Sequence, residues 1–95
     1  MCRNIRMLHH FEPPSTREEM EAAAIQYVRK ISGVQKPSAS DQAAFTAAIA
    51  EVTKSTEKLL GALHPLRAPK RTREGEREKG RKRWQEREAR MRAGT

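Results

Sequence analysis

The sequence predicts an all-α fold: an antiparallel two-helix hairpin, about 17–32 and 40–63, covered by an N-terminal arm and followed by a basic C-terminal tail that is disordered or a lone helix. Three observations predict it. Two apolar stripes keep the i, i+3, i+4, i+7 spacing of one helix face. Between them stand Gly33 and Pro37, which end one helix and delay the next. Charge is also unevenly placed: residues 1–66 carry a net of +1 and residues 67–95 a net of +7, which together make the +8 of the whole chain.

With 95 residues the chain has room for one domain at most. A hydrophobic share of 36% beside 34% charged residues is low for a chain that is globular throughout, so the folded part is expected to stop short of the end. We divide the chain into a helical-hairpin domain with its arm, 1–66, and a basic low-complexity tail, 67–95.

Residues 1–14 form the arm. Pro13 and Pro14 disfavour helical geometry in the residues before them and hold the arm extended. Ile5 and Leu8, spaced i, i+3, are expected to face inward from one short helical turn, with Met7 and Phe11 adding apolar cover. Helix 17–32 follows. Thr16 and Glu19 form a capping box, Glu18, Glu19 and Glu21 suit the positive helix end, and Arg29 and Lys30 suit the negative one. Its stripe is Met20, Ala23, Ala24, Tyr27, Val28 and Ile31. In the turn, Ser38 or Ser40 is expected to cap the second helix, whose stripe is Phe45, Ala48, Ile49, Val52, Thr56, Leu59, Leu60 and Leu63. Gly61 weakens its end and Pro65 closes it. Two helices alone bury little, so a third apolar layer is needed: the arm, or a second hairpin in a homodimer.

The tail is built mostly from Arg, Glu, Lys and Gly. Glu78/Lys82, Glu86/Arg90 and Glu88/Arg92 are helix-supporting i, i+4 pairs, while Gly75 and Gly80 each cost about 1 kcal/mol relative to Ala. Without an apolar seam the tail is expected to be intrinsically disordered in isolation, with nascent helix.

Several function classes are excluded or left without support. No apolar run approaches the roughly 18 residues that span a membrane, and no apolar core of a signal peptide stands at the start. With one cysteine and no internal disulfide, a cytoplasmic protein is expected. No phosphate loop, nucleophile elbow or helix-turn-helix spacing is present, and no catalytic residue or cofactor is assigned.

The tail's charge points to RNA or a ribonucleoprotein. Arginine contacts phosphate bidentately and stacks on bases, and tryptophan adds a stacking face. The nucleic-acid-binding residues expected are Arg71, Arg73, Arg77, Lys79, Arg81, Lys82, Arg83, Trp84, Arg87 and Arg90. A second candidate site lies in the arm at Cys2, Arg3, Asn4 and His9. If Met1 is removed, Cys2 carries a thiol and a free α-amine, and Arg3 and Arg6 favour the thiolate. Cys2, His9 and His10 are also weak candidates for zinc or copper, although C-x6-H-H matches no standard zinc spacing. The alternatives to nucleic-acid binding are therefore a thiol- or metal-dependent activity at Cys2, or a protein-binding adaptor without nucleic acid.

The segments "MCRNI", "FEPPST", "AAAIQYVRKISG", "KPS" and "AAF", in that order, resemble a bacterial family of small proteins, domain of unknown function 2277, over about residues 1–63. The resemblance implies a compact helical domain and supplies no activity. It implies that Met1-Cys2-Arg3-Asn4-Ile5 is a family motif. His10 stands where the family pattern has Asn, and after Leu63 the tail is longer and richer in arginine than that pattern.

Overall fold

The structure, a computed structural model, describes residues 5–94. Three helices follow one another: α1 (Arg17–Ser32), α2 (Gln42–Ala62) and α3 (Arg73–Ala93). Among the described residues the only extended pairing is an isolated parallel bridge between Phe11 and Arg71.

The capping box of α1 forms as its residue types require. The Thr16 N–H donates to Glu19 Oε1 at 2.8 Å, and the Glu19 N–H donates to Thr16 Oγ1 at 3.2 Å. At the other end Gly33 takes the left-handed conformation, φ 71°, and its N–H donates to the Arg29 carbonyl at 2.9 Å. The start of α2 differs from expectation. Neither Ser38 nor Ser40 caps it; Asp41 is the N-cap and makes no side-chain capping bond. The reason is local: Ser38 to Asp41 close a turn, and the Ser38 hydroxyl donates to Asp41 Oδ2 at 3.2 Å, which diverts that carboxylate from the helix.

Helices α1 and α2 pack on each other. Arg17, in the first turn of α1, pairs with Glu57 near the end of α2 at 3.3 Å, so the two run in opposite directions. The buried row on α1 is Met20, Ala24 and Val28, spaced i, i+4, i+8, and it meets the buried Thr53 of α2. The Thr53 hydroxyl donates to the Ile49 carbonyl at 2.7 Å, which satisfies it inside its own helix and lets a polar residue occupy the seam.

The apolar stripes are wider than the face they bury. Tyr27, Ile31, Leu59 and Leu63, expected inside, are exposed, Ile31 by 66% and Leu59 by 56%. A helix with one helical partner covers only the central row of its stripe. The molecule is one helix layer thick: its Cα extents are 50 × 38 × 16 Å, and its radius of gyration is 16.9 Å, against about 12 Å for a compact chain of this length.

Residues 5–14 of the arm are not helical, so the expected turn presenting Ile5 and Leu8 does not form. Residues 10–12 pair with the segment before α3. The Glu12 N–H donates to the Arg71 carbonyl at 2.9 Å, and the Arg71 N–H donates to the His10 carbonyl at 2.8 Å. Phe11, in the middle of this bridge, is buried. His10 has φ 65°, and the Glu12–Pro13 peptide is cis. His is enriched among non-glycine residues at positive φ, which suits it to this position.

Of the two forms expected for the tail, disorder or a lone helix, the structure has the helix, α3. Thr72 accepts a hydrogen bond from the Gly75 N–H at 2.9 Å, Glu74 and Glu76 stand in the first turn, and Arg90 and Arg92 in the last. Caps and dipole-matched charges at both ends offset the two glycines. No residue of α3 is buried. No helix among the described residues is long and apolar enough to cross a membrane.

Ala24 is the most buried residue of α1, 1% exposed. Ala24→Leu is expected to destabilise the protein by about 1–3 kcal/mol in urea unfolding, while Ala22→Leu on the exposed face stays within about 0.5 kcal/mol. A Cβ at Gly80 meets nothing within 4 Å, whereas one at Gly75 falls 2.8 Å from Thr72 Oγ1. Gly80→Ala should therefore raise the helical circular-dichroism signal, stabilising α3 by about 1 kcal/mol. Gly75→Ala should lower that signal by displacing the cap.

Candidate functional site

Arg73, the first residue of α3, reaches back to the start of α1. Its Nε donates to Glu19 Oε2 at 2.8 Å and its Nη2 to Glu19 Oε1 at 2.7 Å, a bidentate arginine–carboxylate pair. Nη1 donates to the Pro13 carbonyl at 2.9 Å, and Nη2 also to the Pro14 carbonyl at 3.2 Å. The guanidinium also lies over the Phe11 ring, 5.6 Å from its centroid. Pro14 and Pro13 contribute here because proline leaves its carbonyl as the only backbone hydrogen-bonding group. One guanidinium thus ties the arm, the α1 cap and the start of α3 together.

The electrostatics follow the geometry. The Arg73 hydrogen bonds, then the Thr16 N–H, hold the Glu19 carboxyl at about 2, down from its ordinary 4.5, and the same pairing holds Arg73 above its own ordinary value. The unfolded chain therefore takes up this proton first as the solution is acidified. The stabilisation from the pair is complete above about pH 4.5 and is lost as pH falls toward about 2.

Around this clasp the arm is pinned to the segment 64–71. His9 Nε2 lies 3.2 Å from the His64 carbonyl and His10 Nε2 lies 2.6 Å from the Ala68 carbonyl. Arg71 Nη1 donates to the His9 carbonyl at 2.6 Å, and Lys70 pairs with Glu12 at 3.5 Å. The two histidines thus hold backbone oxygens, with ring centroids 6.0 Å apart. No group of three or more metal-ligating side chains occurs among the described residues. Cys2, Arg3 and Asn4 lie outside the described residues.

Between the arm and α3 opens a cleft of about 330 Å³. The arm lines it with Ile5, Arg6, Met7, Leu8 and Phe11, and α3 with Glu76, Arg77 and Arg83; Glu19 and Arg73 of the clasp also line it. A second cleft of about 400 Å³ lies on the other side of the arm, toward Leu60 and Leu63 of α2.

The ten tail residues singled out in the sequence divide into two groups. Arg71 and Arg73 turn inward onto the arm, while Lys79 pairs with Glu76 at 3.5 Å and Arg81 pairs with Glu78. Among the described residues, Arg77, Lys82, Arg83, Arg87 and Arg90 have no carboxylate partner, and Trp84 is 55% exposed. The clasp was not visible in the sequence: Glu19 is already explained as a cap and Arg73 as one tail cation among many. The nearest signal is Phe11-Glu12-Pro13-Pro14, an aromatic ring and two proline carbonyls that together suit a guanidinium.

In Arg73→Gln, the Glu19 carboxyl should titrate well above its wild-type position of about 2 by carbon NMR, moving toward the ordinary range. The segment 67–72 should become more susceptible to proteolysis in that variant. Glu19→Gln should flatten the acid limb of the stability profile between about pH 4.5 and 2, measured by urea midpoints at stepped pH.

Neither a curated protein nor a solved structure matches the chain. Residues 1–79 match a family of uncharacterized conserved proteins, DUF2277, so the likeness extends past 63 through the clasp and the first turns of α3. The chain belongs to that family of unknown function, DUF2277.

Proposed function

We propose that the protein is a binding module whose helix α3 contacts single-stranded RNA, free or within a ribonucleoprotein. One observation carries this reading: α3 presents Lys82, Arg83, Arg87 and Arg90 without carboxylate partners among the described residues, beside an exposed Trp84. Arg83, Arg87 and Arg90 follow i, i+4, i+7 and form one row along the helix. Neighbouring cations in that row are about one 5.4 Å turn apart, a track a flexible phosphate backbone can follow. Trp84 adjoins the row and offers an indole face for a base. The glutamates of α3 temper this charge without cancelling it, since its nine Lys and Arg exceed its five Glu.

The arginines that hold the fold are set apart from those that would bind. Arg71 and Arg73 spend their donors on backbone carbonyls and Glu19. In this reading α3 is delivered as a rigid arm of about 31 Å from a fixed base.

Trp84 is the only tryptophan, so its fluorescence reports on binding directly. Titration with a uridine oligonucleotide should quench it, with an affinity that falls steeply as salt rises. Changing Arg83, Arg87 and Arg90 together to Gln should reduce the slope of log K against log salt by about 2, at roughly 0.7 per phosphate contact on a single strand. Trp84→Ala should weaken binding by about 1–3 kcal/mol, read by anisotropy of a labelled oligonucleotide. Equal affinity of wild type and the triple variant would remove α3 from any nucleic-acid role.

A further inference from the structure

The cleft between the arm and α3 is lined by charges that do not balance. Four arginines, Arg6, Arg73, Arg77 and Arg83, face two carboxylates, Glu19 and Glu76, an excess of two positive charges. Both carboxylates are engaged: Glu19 by Arg73, and Glu76 by Arg71 at 3.9 Å and Lys79 at 3.5 Å. Arg6, Arg77 and Arg83 are left without an anionic partner among the described residues. Like charges lining one cleft repel, and an anion seated between them relieves that repulsion.

The apolar lining of the cleft selects the rest of the ligand. Ile5, Met7, Leu8 and Phe11 form an apolar wall, with Met7 53% exposed and able to take cover from water. A volume of about 330 Å³ sits at the small end of the range for small-molecule sites, roughly 300–1,000 Å³. A carboxylate or a phosphodiester would neutralise only one of the two excess charges. A phosphate monoester carries about −1.5 to −2 at neutral pH and offers oxygens that guanidinium groups bind bidentately.

We infer that this cleft binds a phosphate monoester bearing an apolar or aromatic body, the phosphate among Arg6, Arg77 and Arg83 and the body on Met7 and Leu8. That chemistry belongs equally to a small free ester and to the 5′-phosphorylated end of a nucleic-acid strand. The inference does not rest on the α3 reading, because a small ester can bind whether or not RNA does.

Calorimetric titration of the full chain with phenyl phosphate at pH 7.5 tests it. Saturable one-to-one binding is expected, at least tenfold tighter than inorganic phosphate or phenol alone, and weaker at pH 5, where the monoester has lost its second charge. Arg77 and Arg83 are exposed, so the double variant Arg77→Gln with Arg83→Gln should keep the wild-type circular dichroism and lose at least tenfold in affinity. Met7→Gln keeps the charge and alters the wall; it should weaken phenyl phosphate several-fold and leave inorganic phosphate unchanged. Absence of saturable binding, phenyl phosphate bound no tighter than inorganic phosphate, or undiminished binding by the double variant would each overturn the proposal. A 5′-phosphorylated trinucleotide that binds more tightly than its 5′-hydroxyl form identifies the strand end as the source. Equal binding of the two trinucleotides, with phenyl phosphate bound, identifies the free ester.

Discussion

The pair formed by Glu19 and Arg73 joins residues 54 positions apart and connects three otherwise separate pieces of chain. Glu19 is already committed to the α1 cap through Thr16, so Arg73 docks on a carboxylate whose position the helix has set. The two proline carbonyls and the Phe11 ring complete the seat. A bidentate guanidinium constrains direction as well as distance, which a lysine ammonium would not. Arg73 thereby helps fix where α3 leaves the hairpin, together with the parallel bridge between Phe11 and Arg71 two positions upstream.

So much depends on a polar contact because the apolar core is small. Phe11, Met20, Ala24 and Val28 are the buried hydrophobic residues among those described, and Thr53 is the buried polar one. A single helix layer has two open faces, which leaves Tyr27, Ile31, Leu59 and Leu63 in contact with water. Hydrophobic burial holds α1 to α2; hydrogen bonds to carbonyls and a carboxylate hold the arm to the start of α3. The second kind of attachment depends on pH through Glu19, whereas the first does not.

The same arrangement sorts a basic sequence into two populations. Arg71 and Arg73 are consumed by the fold, Lys79 and Arg81 by ion pairs with Glu76 and Glu78 along the helix, while Arg77 and Arg83 line the cleft. Net charge alone treats these groups as one. The proposed phosphate-ester site lies toward the base of α3 and the proposed RNA contacts toward its end, and Arg83 is common to both.

Local physics was legible in the sequence. The bounds of α1 followed from Thr16, Glu19 and Gly33, because caps are short-range and act through adjacent residues. The second stripe located α2, and the i, i+4 pairs of the tail supported α3, though its glycines and lack of an apolar seam argued for disorder. The cap of α2 was misread because Ser38 had a closer use for Asp41. What no periodicity encodes is which part of an apolar stripe finds a partner. Leu59 and Thr53 lie on the same helix, yet Thr53 is buried and Leu59 exposed, since α1 covers only one narrow row. Nor does composition distinguish Arg73 from the arginines around it. Its role arises only when the arm, the α1 cap and the start of α3 meet, and long-range meetings of that kind belong to tertiary structure alone.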